Sequence, residues 1–153
     1  MNSNLVSCIA GIGATMAIGI LTYIDTSLAE LTFIMAPFGA TAVLVFGLPN
    51  SPLAQPRNVI FGHLITAIIG VLFTQYVGVN ATTLAIATGL GVTAMLLTKT
   101  THPPAGANPI LIMLSGQSWG FLATPVISGA LLIVLVGKFF QLMQQHVTQV
   151  SRE

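Results

Sequence analysis

Seven charged side chains in 153 residues set the first constraint on this chain. Asp25, Glu30, Arg57, Lys99, Lys138, Arg152 and Glu153 are all of them, so the stretches 31–56, 58–98 and 100–137 carry no Asp, Glu, Lys or Arg. Soluble domains devote roughly a quarter of their residues to charge. Here the share is 5%, against 54% hydrophobic residues and a mean hydropathy of +0.93. A hydrocarbon core about 30 Å thick asks for about 20 apolar residues per spanning helix. The chain therefore reads as an all-α polytopic membrane protein, a single membrane domain over residues 1–153.

Apolar segments at 5–24, 31–48, 58–78, 81–98, 103–115 and 120–143 give six crossings. The piece at 103–115 is short and crosses only if the residues before it enter the membrane in extended form. Four full spans with two re-entrant segments is therefore the alternative. Proline-rich residues 49–56 form the clearest loop. Arg57, Lys99 and Arg152 fall on one side, with Lys138 near it, and Asp25 and Glu30 fall on the other. The positive-inside rule then puts both termini in the cytoplasm, with a bacterial inner (plasma) membrane as the expected location. Residues 1–4 lack the basic start of a signal peptide, so the first segment reads as a retained span. A net charge of +1 points to no nucleic-acid partner. The lone Cys8 offers neither a disulfide within the chain nor a cysteine metal cluster, and no metal or cofactor is expected.

Two proline–glycine motifs 67 residues apart carry the chemistry. Thr101-His102-Pro103-Pro104-Ala105-Gly106-Ala107-Asn108 is matched by Ala36-Pro37-Phe38-Gly39-Ala40-Thr41 at Pro37/Pro104, Gly39/Gly106 and Ala40/Ala107. The same offset pairs Gly62 with Gly129 and Gly70 with Gly137. Gly11-Ile12-Gly13-Ala14-Thr15 resembles Gly89-Leu90-Gly91-Val92-Thr93 at an offset of 78, so the first copy has the longer connector. Each copy, about 5–78 and about 81–143, reads as helix, broken helix, helix. Three crossings per copy is odd, which makes the repeat inverted, 3+3.

Proline fits the first turn of a helix, where its missing N–H costs nothing. The residues that follow, Phe38-Gly39-Ala40 and Ala105-Gly106-Ala107, keep their donors beside the positive end of the helix dipole. Gly39 and Gly106 remove the side chains that would hold a ligand off the backbone. Two such helix starts meeting near the bilayer midplane form an anion site without a buried Lys or Arg, as broken transporter helices do. His102 is either a further donor or a solvated loop residue. Thr41 and Asn108 occupy equivalent positions and face one cavity, unless they serve as caps or interhelical bonds. His63 reads as a histidine bonded to a neighbouring helix, Lys99 as an interfacial anchor, and Lys138 as a snorkelling cation. The paired glycines read as close-packing positions.

The Thr-His-Pro-Pro-Ala-Gly-Ala run resembles the signature of the HPP family of integral membrane proteins. Similarity extends to Ala-Pro-Phe-Gly-Ala-Thr and to Pro56-Arg57-Asn58-Val59, and so covers nearly the whole chain. The resemblance implies nitrite transport, as in chloroplast and cyanobacterial members. It also implies four membrane segments where the residues give six, and some relatives carry a cytosolic domain that this chain lacks.

The expected function is a carrier or channel for nitrite or a similar small monovalent anion, held by Phe38, Gly39, Ala40, Thr41, His102, Ala105, Gly106, Ala107 and Asn108. A homo-oligomer, a dimer first, would cover the broken helices. A non-transporting scaffold or sensor subunit is the alternative. An enzyme is disfavoured: there is no His-Glu-x-x-His, no carboxylate pair within a segment, and no nucleophile beside a base.

Overall fold

The computed structural model describes residues 3–28 and 32–150, and the side chains of 4–28 and 32–143. Glu30, Arg152 and Glu153 lie outside the described residues. The described chain is all-helical: α1 (Ser3–Ser27), α2 (Pro37–Ala42), α3 (Pro56–Leu72), α4 (Ala81–Leu97), α5 (Asn108–Ser115) and α6 (Ser128–Val150). Wide π turns extend α2 and α3 over Val43–Gly47 and Phe73–Val77, and a third, Leu122–Ile127, leads into α6. Three stretches are long and apolar enough to cross a membrane: Asn4–Ser27, Pro56–Val77 and Leu122–Met143. Pro37–Gly47 and Ala81–Leu97 are apolar but shorter.

Local sequence explains most boundaries. α4 starts at a capping box, in which Asn80 accepts from the Thr82 and Thr83 amides and the Thr83 hydroxyl accepts from the Asn80 N–H. It ends with Lys99 in the left-handed region (φ 55°), while the Lys99 and Thr100 amides return to the Leu96 and Met95 carbonyls. That is the Schellman arrangement, with a lysine where glycine is usual. Gly116 (φ 66°) closes α5 in the ordinary way. Residues 32–35, ahead of α2, are not helical, and the Asp25 carboxylate accepts from the Phe33 and Ile34 amides at 2.6 and 3.3 Å. The last segment is not the continuous helix expected over 120–143. Thr124 is extended (φ −131°, ψ 122°) because Pro125 crowds the residue before it and offers no donor.

α3 is the central helix, in contact with α4, α5, α6 and the Leu122–Ile127 turn, while α1 lies along α6 and α2. Glycines set the close approaches. A methyl placed on Gly62 would sit 2.8 Å from His102 Cβ, and one on Gly70 would sit 3.0 Å from Pro109 Cα and 3.1 Å from Ile112 Cβ. A methyl on Gly129 would overlap the Phe38 ring, and one on Gly137 would overlap the Val45 side chain. Gly70 against Ile112 and Gly137 against Val45 are the same contact with the two offset partners exchanged. At one end of α3, Arg57 donates to Thr98 O at 3.2 Å and Asn58 to Thr101 O at 2.9 Å, which places Arg57 and Lys99 together. At its other end, Gln75 donates to Gln117 O at 3.2 Å.

Candidate functional site

The two proline-led helix starts meet. Ala36, Pro37 and Ala40 face Pro103, Pro104 and Ala107 across an apolar groove of about 400 Å³, open on its outer side. One residue further along each helix turns the chain inward: Thr41 follows Ala40, Asn108 follows Ala107, and both are fully buried. Behind the groove they join His63, His102 and Thr66, all 0% exposed. Five fully buried polar side chains in an apolar chain this short need mutual hydrogen bonds.

The bonds form a single line. His102 Nδ1 lies 2.8 Å from Leu53 O, and His102 Nε2 lies 2.9 Å from Thr41 Oγ1. Thr41 Oγ1 lies 2.8 Å from His63 Nε2, and His63 Nδ1 lies 3.0 Å from Asn108 Nδ2. Asn108 Nδ2 also donates to His63 O and Thr66 Oγ1, each at 3.0 Å. A carbonyl only accepts, so His102 carries its proton on Nδ1 and presents a lone pair at Nε2. The Asn108 amide nitrogen faces a backbone carbonyl, so its orientation is fixed, and its two N–H groups are shared among His63 O, Thr66 Oγ1 and His63 Nδ1, which therefore carries no proton. His63 then holds its proton on Nε2 and donates to Thr41, which donates to His102. Along that line the donors point from Asn108 towards Leu53, and the Thr41 hydroxyl has a second acceptor in Pro37 O at 3.2 Å. Only one atom is left over: Asn108 Oδ1 is buried without a partner.

His63 thus touches both motifs at once, Thr41 through one ring nitrogen and Asn108 through the other. Phe38 packs edge-on against it, with centroids 5.4 Å apart, and the two imidazoles are 5.0 Å apart. By helix rise, His63 lies about 10 Å along α3 from Pro56, and Thr66 about 15 Å.

Of the sequence-derived residues, Phe38, Thr41, His102, Ala105 and Asn108 are buried, Gly106 is half-buried, and Gly39, Ala40 and Ala107 are exposed. The backbone donors are less free than expected. Phe38 and Gly39 N–H pair with the Met35 and Ala36 carbonyls at 3.0 and 3.1 Å, and Ala105 N–H with His102 O at 3.0 Å. Each motif opens with a tight turn that consumes these donors. Gly39 opens on a separate groove against Ala10, Gly11 and Ala14 of α1. Nothing lies within 4 Å of a methyl placed on Gly39 or Gly106. Alanines, not glycines, border the junction. His63 bonds to neighbouring segments as expected, but in doing so it becomes the centre of the cluster. Its signal was present, as the one histidine inside the apolar run 58–78. Thr66 and the Leu53 carbonyl gave none.

A family model described as HPP, transmembrane region, matches residues 2–149. A transmembrane protein of Dictyostelium discoideum is 40% identical over 128 residues, covering 78% of this chain and 41% of the relative. A second transmembrane protein of that organism is 34% identical over 135 residues, covering 83% of this chain and 47% of its own length. The chain thus spans less than half the length of the curated relatives it matches. No solved structure matches.

Proposed function

The chain belongs to the HPP transmembrane family, and from that premise we propose that it moves a small monovalent anion across the bilayer, nitrite first among those to be tested. It acts as a transporter or channel rather than an enzyme. The observation that carries this reading is the meeting of the 36–40 and 103–107 helix starts around one groove. Irregular backbone at membrane depth persists only where it is buried in protein or lines a cavity. Here two breaks line the same cavity, and each brings the positive end of a helix to it. The convergence supports the inverted 3+3 repeat, as do the exchanged contacts Gly70–Ile112 and Gly137–Val45. An anion in the groove lies against Ala36, Pro37, Ala40, Pro103, Pro104 and Ala107, with Thr41, His102 and Asn108 as the polar groups behind. The open outer side of the groove is where a second copy of the chain gives cover.

The test is nitrite uptake by purified protein in liposomes. Ala40→Phe and Ala107→Phe put a ring into the groove from exposed positions, outside the packed core. Both should abolish uptake in correctly inserted protein. Uptake at the parent rate in both variants would move the site elsewhere.

A further inference from the structure

We propose that Arg57 and Lys99 form a headgroup site for one anionic phospholipid, whose phosphate the two cations share where α3 begins and α4 ends. The site is independent of the junction and of transport. Arg57, the second residue of α3, donates from Nη2 to Thr98 O at 3.2 Å. That carbonyl belongs to the peptide bond that Lys99 N completes, so the guanidinium lies within about 6 Å of the Lys99 backbone. Two positive charges are thus held side by side through a backbone contact, not through an acid. Asp25 is the only carboxylate among the described residues, and the Phe33 and Ile34 amides engage it. Both basic side chains are exposed. An arginine fork has five N–H donors, so with one on Thr98 O the rest can face a phosphate.

The backbone under Lys99 shows that its charge has a use. With φ at 55°, this residue occupies the left-handed position that closes α4, where a Cβ is costly and glycine avoids the cost. A cation near the last carbonyls of a helix is favourable in itself. Arg57 already supplies one there, bonded directly to Thr98 O. The second cation, in a conformation that disfavours any side chain, is left for a partner outside the chain.

The surroundings identify that partner as a lipid. Phe61 lies one turn along α3 from Arg57, on the same face, and is half exposed. Leu96 and Leu97, just ahead of the turn that carries Lys99, are 60% and 79% exposed. The pair therefore stands at the rim of an apolar surface, where the spanning stretch Pro56–Val77 begins and the apolar helix Ala81–Leu97 ends. A phospholipid with its phosphate between the cations lays its acyl chains along these side chains. Soluble phosphate would gain the cations alone. An anionic headgroup fits better than a choline one, which brings its own positive charge to two others.

Purified protein in mild detergent should be offered phosphatidylglycerol and phosphatidylcholine with the same acyl chains in equal amounts, and the lipids it retains counted by native mass spectrometry. The parent should hold one phosphatidylglycerol per chain in preference to phosphatidylcholine. Lys99→Gly gives the turn the residue it favours, so it should unfold no more readily than the parent while that retention falls about fivefold, the worth of one basic residue at an anionic surface. Arg57→Gln keeps a donor for Thr98 O and should lose retention likewise; either variant serves if the other fails to insert. Lys138→Gln removes an equal charge from α6, outside the pair, and should retain the lipid as the parent does. Equal retention of the two lipids by the parent would overturn the site. So would a loss in Lys138→Gln as large as in the pair variants, because the cations would then act only as a diffuse interfacial field. Inorganic phosphate that displaces phosphatidylglycerol at equal concentration would overturn the lipid and assign the pair to soluble phosphate.

Discussion

Gly129→Ala offers the sharpest test of the packing behind the junction. The added methyl would overlap Cε2 and Cζ of Phe38 and lie 3.2 Å from Cδ2, so the ring itself must move. Phe38 has no room for this, being fully buried and edge-on to His63. Overpacking of this kind costs about 1–3 kcal/mol. Alanine returns up to about 1 kcal/mol through helix propensity. With a whole ring displaced, the upper part of the range applies, and the net loss should be about 2 kcal/mol. Reversible unfolding in mixed detergent–SDS micelles, followed by helical circular dichroism, measures it. Phe38→Leu in the same chain makes room, so the double variant should be more stable than the sum of the two single changes by about 1–3 kcal/mol. If Gly129→Ala unfolds like the parent, or if the two changes simply add, Phe38 does not sit between α6 and His63 as described.

Two further outcomes concern the membrane arrangement. With Cys8 replaced by serine, cysteines at the exposed positions Ser27 and Asn50 should react with an impermeant maleimide from opposite faces of the membrane, Asn50 from the cytoplasm. Labelling of both from one face would end the inverted repeat. Crosslinking or mass measurement in mild detergent should give a dimer, because lipid does not satisfy irregular backbone. A monomer that still takes up nitrite would refute that.

Helix positions were legible because an apolar run between Pro, Gly and Asn punctuation admits little else, as at Asn80, Pro56 and Gly116. The convergence of Pro37 with Pro103 and Pro104 was legible too, since two breaks in a small apolar chain have few places to hide. The destination of the backbone donors was not. Whether Phe38 N–H is free or closes a tight turn onto Met35 O depends on a few degrees of backbone torsion that no residue type dictates. His63 was underrated for a similar reason. Its burial could be read from its neighbours, but a link to Thr41 and Asn108 together exists only after α2, α3 and α5 have packed. The bend at Thr124 could have been found from Pro125, which the apolar length of 120–143 overshadowed.

Counting begins at His63. Its counterpart 67 residues on is Ala130, also fully buried. On the two-fold plan proposed above, Thr41 and Asn108 are images of one another, and a ring that reaches both stands close to where the axis passes. Such a place holds one imidazole; a second would have to occupy the same volume. The duplication can double the walls but not the ring.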